Sequence, residues 1–310
     1  LAWLAIGLSA LGLVAGELVA RRVLGLGDPP LYTLDPELEY VLAPSQKRLR
    51  FGNRFEVNSL SMRAPELPTA KAPGEFRVLV VGDSIVNGGA RVDQAELATE
   101  RLRDRLAQRL GRPVSIANIS AGSWGQVNQL AYLRRHGLMQ ADAVLVVINS
   151  GDLGDVPGLE PIGVQWPRHT PALALLELGE RVAPNVVGGL TGNAPGEPAT
   201  RPADPAADAR SSTEALASMI SMARASGASC GVLLFLTRDE LAGAPLPGGL
   251  ALSLAAAQAG AVVTDTRAAF AGRAGLFQPD GVHPTPDGQA ALASALESLL
   301  DSAGSLKPEP

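Results

Sequence analysis

The sequence predicts an α/β domain: a parallel five-stranded sheet with helices on both faces, preceded by one apolar N-terminal helix and a small β-hairpin. Three observations predict it. Segments 77–81, 143–149 and 231–236, apolar but for Arg77 and Asn149 at their ends, suit strands buried on both faces. Segments of helical period separate them, and strands alternating with helices make a parallel sheet. Residues 1–20, LAWLAIGLSALGLVAGELVA, are apolar almost without interruption.

The first twenty residues are long enough at helical rise to cross a bilayer's hydrocarbon core. A cleaved signal peptide or a buried helix are the alternatives, and the length favours an anchor. Glu17 is tolerable there because it lies near the expected interface. Arg21 and Arg22 favour a cytoplasmic C-terminal side by the positive-inside rule. The chain begins with Leu, however, and a charged leader would escape that comparison.

GLGDPPLYTLDPE reads as a Pro-rich linker. RLRF and RFEV flank Gly52-Asn53, a hairpin signal. A second linker, 69–75, leads to strand 77–81. Helix 96–110 follows, with Leu102, Leu106 and Leu110 on one stripe and Asp93 and Glu96 spaced as a capping box. Strand 114–119, helix 126–137, strand 143–149 and a helix over 170–182 come next. Residues 183–208 are rich in Gly, Pro and Ala and read as a long surface loop. Helix 211–226, strand 231–236, helix 249–259, strand 261–265 and helix 286–301 complete the series. The division is 1–24 anchor or signal segment, 25–75 linker and hairpin lead-in, 76–303 α/β domain, and 304–310 tail.

Composition excludes several functions. Hydrophobic residues make up 46%, enough for a substantial core. The net charge of −5 and the lack of a Lys/Arg run argue against nucleic acid as a partner. No Cys/His cluster has zinc spacing, so no metal or other cofactor is expected. Cys230 opens CGVLLFL and reads as a small buried hydrophobe.

Chemistry concentrates in two motifs. GDSIVNGG, 82–89, puts Ser84 just after strand 77–81, at the sheet edge where substrates reach parallel folds. DGVHPTPDG, 280–288, sets Asp280 three residues before His283, ahead of a helix that Thr285 caps with Pro286 at its first position. A serine, a histidine and a carboxylate are the parts of a nucleophilic hydrolase. Between them, NISAGSWGQVN follows the second strand, where Gly122 offers a backbone N–H to a substrate oxyanion. Trp124 is either a substrate-facing aromatic or a cover over the core.

Together these blocks resemble the SGNH/GDSL hydrolases over residues 76–303. That family carries Gly-Asp-Ser after the first strand, a glycine after the second, Gly-x-Asn-Asp after the third and Asp-x-x-His-Pro before the last helix. Gly82-Asp83-Ser84, Gly122 and Asp280-x-x-His283-Pro284 match in order. The resemblance implies a three-layer α/β/α flavodoxin-like sandwich and an esterase with Ser84, His283 and Asp280 as its triad. Ser84 and Gly122 would supply the oxyanion hole. FEVNSLSMRAPE is similar to the lead-in of membrane-anchored bacterial members, which implies an extracytoplasmic domain acting on an acylated carbohydrate or small ester, commonly an O-acetyl ester of an exported polysaccharide.

One block departs. INSGDLGD puts Gly151, not asparagine, before Asp152. On a continuing strand Asn149 would lie about 6–7 Å below Gly151, too far to donate to the same oxygen. Losing one such donor costs about 10²–10³ in rate. Asn87, Asn128 and Ser150 are candidate substitutes, and Asp83 and Asp152 complete the expected pocket. An O-acyltransferase using the same site, and a non-catalytic glycan-binding protein on a degenerate scaffold, are the alternatives to hydrolysis.

Overall fold

Strand β5 (Phe76–Gly82) is buried along its whole length: its apolar run 78–81 suits the centre of a sheet, and Arg77 is buried beside it with its Nε donating to Glu75. The computed structural model describes residues 2–158, 166–183 and 204–306. Four more strands join β5 in parallel: β6 (Val114–Ser120), β7 (Ala143–Ile148), β8 (Ser229–Leu234) and β9 (Val262–Asp265). Their order is β6-β5-β7-β8-β9, so the chain reverses its direction of winding beside β5. This is the flavodoxin-like order, whose switch point between the first and third strands of the sheet is where ligands bind.

Alternate residues of β5 feed two cores. Leu79 and Val81 face the layer of helices α4 (Gln126–His136), α6 (Pro205–Ala225) and α8 (Pro247–Gln258). Val78 and Val80 face α3 (Ala98–Leu110) and α10 (Pro286–Ser302), and two short helices, α7 (Arg238–Ala242) and α9 (Arg267–Phe270), flank α8 in the chain. Cys230 is buried in the first core, and burial pushes its thiol up to about 11.

Most sequence-derived elements stand within a few residues of their expected ends, and three helices differ. Helix α6 begins at Pro205 rather than 211, because Asp204 accepts from the Ala207 N–H and Pro205 fits the first position. Helix α3 begins at Ala98: Asp93 caps a preceding 3₁₀ turn instead, and the Gln289 side chain accepts from the Ala98 N–H. The helix expected over 170–182 is a short α5 (Ala174–Glu177) running into a π-turn, Leu178–Val182. Of the expected loops and tail, residues 159–165, 184–203 and 307–310 lie outside the described residues.

The lead-in is more structured than a linker. A first hairpin pairs β1 (Tyr32–Asp35) with β2 (Glu39–Leu42), its turn held by Asp35 Oδ1 accepting from the N–H groups of Glu37 and Leu38. A second pairs β3 (Gln46–Arg50) with β4 (Asn53–Val57). Its turn is Phe51-Gly52, one residue earlier than expected, with both residues at positive φ as a primed turn requires. Helix α1 (Ala2–Arg22) is exposed through Ala15 and is apolar and long enough to cross a membrane.

Candidate active site

The tight exit from β5 positions Ser84. A Cβ on Gly82 would stand 2.5 Å from Val86 Cγ2, so only glycine lets the chain turn there. Asp83 caps the following one-turn helix α2 (Ser84–Asn87), Oδ1 accepting from the Ile85 N–H at 2.9 Å. Ser84 therefore stands at the helix start, at the C-terminal edge of the sheet.

The loop before α10 brings the histidine to it. His283 Nε2 lies 3.0 Å from Ser84 Oγ, and Nδ1 lies 2.9 Å from Asp280 Oδ2. Thr285 Oγ1 accepts from the Gly288 N–H, which fixes the start of α10 three residues beyond the imidazole. Asp280 is held from behind, Oδ1 accepting from the N–H groups of Val282 and His283 at 2.8 and 2.9 Å. Partial burial raises the Asp280 carboxyl, but these N–H groups and the imidazole outweigh it and keep the group below its ordinary value. The other histidines lie away from this cluster: His136 stacks on Tyr132, and His169 is exposed.

Ser84, His283 and Gly122 line one open cleft of about 690 Å³ with Asp83, Asn149, Gly151, Asp152 and Trp166. Gly122 follows β6 and is held by the lead-in: the Tyr40 hydroxyl donates to its carbonyl at 2.5 Å. Ser123 beside it sits at φ +55°, an uncommon backbone for a serine and a mark of a constrained loop.

Several expected pocket residues are turned elsewhere. Trp124 is buried and donates to the Tyr40 carbonyl; it covers the core, and the cleft aromatic is Trp166. Asn87 donates inward to the Ser120 carbonyl, Asn128 to that of Leu38, and Ser150 to Glu240 Oε1, so none of these side chains lines the cleft. Each satisfies a backbone or carboxylate oxygen that would otherwise lack that donor.

The largest difference concerns Asn149. Strand β7 ends at Ile148, and the chain folds back, the Asp152 N–H donating to the Asn149 carbonyl. Asn149 therefore shares the cleft with Gly151 instead of lying a strand step below it. Its Nδ2 donates to Asp83 Oδ2 at 2.9 Å and to Asp152 Oδ1 at 2.6 Å, while its Oδ1 accepts from the Gly151 N–H. Asp152 Oδ2 also accepts from the Asn149 N–H and from Gln126 Nε2. Desolvation raises both carboxyls; that of Asp152 is held well above its ordinary value, with the neighbouring Asp83 charge adding to the effect. One amide thus ties together a buried diacid beside Ser84. Among the described residues, no group of three or more His, Cys, Asp or Glu side chains is placed to hold a metal ion.

Residues 80–291, more than half of the chain, match the GDSL-like Lipase/Acylhydrolase family. The chain belongs to that family. No curated protein matches it. Among solved structures, TesA is similar at 23% identity and a TM-score of 0.45, covering 73% of this chain and 99% of its own. The lipase/acylhydrolase from Enterococcus faecalis follows at 16% and 0.44, covering 76% and 99%. A variant of Axe2, an acetyl xylan esterase from Geobacillus stearothermophilus, is 14% identical with a TM-score of 0.44, covering 76% and 97%.

Against the family pattern, Asn149-Ser150-Gly151-Asp152 is Gly-x-Asn-Asp with its first and third residues exchanged. The turn composition of Asn-Ser-Gly-Asp was the signal that the strand stops before Asn149. Trp166, Val282 and Ser123, which also line the cleft, carry no comparable signal, because each reaches it from an irregular loop.

Proposed function

We propose that this family member is a serine esterase that hydrolyses O-acyl, most simply O-acetyl, esters of a cell-surface or exported polysaccharide. The observation that carries the reading is the hydrogen-bonded series Asp280–His283–Ser84 opening on a cleft. In this mechanism Ser84 Oγ attacks the ester carbonyl while His283 Nε2 takes its proton. Asp280 holds Nδ1–H and so keeps the accepting nitrogen aimed at the serine. The tetrahedral oxyanion receives the backbone N–H groups of Ser84 and Gly122. His283 returns the proton to the leaving sugar hydroxyl, and water releases the acyl group by the same route.

The absence of asparagine at 151 favours a second reading, a glycan-binding protein with a slowed or silent site. A sugar hydroxyl replacing water would make the same site an O-acyltransferase. We place the domain outside the cytoplasm, tethered by α1; the helix's length and its lack of burial support the tether, and the resemblance of FEVNSLSMRAPE to membrane-anchored bacterial members supports the side.

The test is a panel of acetylated and longer-chain esters with the wild type and Ser84→Ala. Hydrolysis and fluorophosphonate labelling in the wild type alone support the esterase. Equal activity in both proteins sinks it, whereas glycan binding without labelling supports the second reading. Acyl transfer to an added glycan in place of release to water supports the transferase.

A further inference from the structure

The foot of α1 is built into the domain. The Glu17 carboxylate accepts from the backbone N–H groups of Ala174 at 2.9 Å and Leu175 at 3.1 Å, the first two residues of α5. Arg21 Nε donates to Glu17 Oε1 at 2.6 Å, and Arg21 Nη2 donates to the Ala172 carbonyl at 3.3 Å. One turn further, Ala20 and Leu26 form a small core with Ala174. Beneath it, Glu177 is buried in a two-bond ion pair with Arg50 of β3, and its Oε2 also accepts from the Gly27 N–H at 2.6 Å.

These contacts bear on whether α1 is cut away. A segment that serves only to direct export gains nothing from a carboxylate fitted to two N–H groups of the domain it leaves. Removing α1 would strip those N–H groups of their partner and open the Ala20–Leu26–Ala174 core to water. The contacts also account for an acidic residue in an apolar helix. An unpaired Asp in the middle of a spanning helix costs about 2.5–3.5 kcal/mol, and a Glu belongs to the same class. Here Glu17 is met by a cation and by two N–H donors.

The fifteen residues of α1 ahead of Glu17 rise about 22 Å, so with its foot docked the helix still reaches across most of a bilayer's hydrocarbon core. Its foot, and α5 with it, then sits at the membrane boundary. Leu173 and Leu176, each nearly half exposed on that segment, are apolar groups facing such a surface. Trp166 of the cleft is six residues from Ala172, at most about 22 Å of extended chain.

We propose that α1 is retained as a docked anchor, clamped through Glu17 to α5. The Ala172–Val182 segment then rests on a lipid bilayer, and the cleft is held near that surface. The last step rests on the esterase reading and narrows it: the ester attacked is one presented close to the membrane, such as an acyl group on a lipid-borne or newly exported glycan.

The test uses the full chain expressed in bacteria and extracted from the membrane fraction. A Cβ at Gly16 would lie 3.6 Å from a Leu175 methyl, so Gly16→Cys with Leu175→Cys should be bridged by a short bismaleimide. The expected result is an intramolecular cross-link in a protein that retains residues 1–22, lost in Glu17→Leu and kept in Glu17→Gln. A dye on Leu176→Cys should report an apolar environment in vesicles of phosphatidylethanolamine and phosphatidylglycerol. Membrane-extracted protein lacking α1, an absent cross-link, or a water-like dye signal overturns the proposal. Fluorophosphonate labelling of Ser84 in the same samples separates the two readings. Its loss with the cross-link intact counts against the esterase alone, and its retention without the cross-link counts against the anchor alone.

Discussion

The Tyr40 hydroxyl donates to the Gly122 carbonyl at 2.5 Å, so the hairpin β1–β2 holds the loop whose glycine lines the cleft. Trp124 of that loop returns a bond to the Tyr40 carbonyl, and the Trp166 ring stands 5.3 Å from the Tyr40 ring. Two walls of the cleft thus depend on residues that precede the family match. The lead-in is part of the site, not a spacer in front of it.

Tyr40→Phe tests this directly. The phenyl ring keeps the packing and removes one hydrogen bond, worth about 1 kcal/mol. If the bond sets the direction of the Gly122 N–H, kcat for a model ester falls about fivefold with KM little changed, since 1.36 kcal/mol is about tenfold in rate. A rise in KM alone would mean that Tyr40 shapes the pocket without touching oxyanion stabilisation.

Ser84 and His283 were legible in the sequence because local signals set both: the apolar run ending at Gly82, and the Thr285-Pro286 start of α10. The sheet was legible for the same reason, its central strands β5, β7 and β8 each carrying a run of apolar residues. Trp124 and Trp166 were not, because which tryptophan reaches the cleft depends on Tyr40, 84 residues from the first. Asn149 was misplaced by one assumption, that β7 continues past Ile148. The short strands β1 and β2 lie in a Pro-rich stretch, and their pairing is fixed by burial of Leu38, Tyr40 and Leu42 against distant elements.

Arg63 ties the lead-in to the segment that follows Ser84. Its guanidinium donates to the carbonyls of Asn87, Gly89 and Val92 and lies over the Phe55 ring, 4.0 Å from its centroid. Burial pushes this group down to about 9, which leaves it charged at neutral pH. Arg63→Ala abandons three carbonyls and is expected to cost about 3 kcal/mol or more in a urea unfolding experiment. Arg63→Lys should recover part of that, because a point donor cannot reach all three acceptors at once.

The diacid beside Ser84 makes a pH prediction. Asp83 and Asp152 both have raised carboxyls, so the folded protein keeps a proton that the unfolded chain releases near 3.8. The stability this pair contributes is fully present below that value and is lost as pH rises through the folded pKa. Asp35 works in the opposite sense: Arg135 holds it down to about 2, and its contribution fades only as pH falls. Urea midpoints from pH 4 to 8 should therefore decline more steeply in the wild type than in Asp152→Asn. Parallel curves would show that Asp152 does not hold the proton.

The exchanged positions of Asn149 and Gly151 give the sharpest test of catalytic strength. The Asn149 amide nitrogen donates to two carboxylates, and the proposed oxyanion donors are the Ser84 and Gly122 backbone N–H groups. Gly151 has φ −74° and ψ −28°, ordinary right-handed backbone that any residue adopts, so glycine is not required there by conformation. A Cβ would meet Asn149 Oδ1 at 3.1 Å, tight enough to need a small adjustment of that side chain. Gly151→Asn puts back the family's amide in front of Asp152. An oxyanion donor is worth about 10²–10³ in kcat, and recovery of even part of it predicts a rise of about tenfold or more, with KM little changed. An unchanged kcat, in a protein that still labels at Ser84, would mean that another donor already fills that position. A fall in kcat would mean that the Asn149 bridge to the diacid matters more than a third donor.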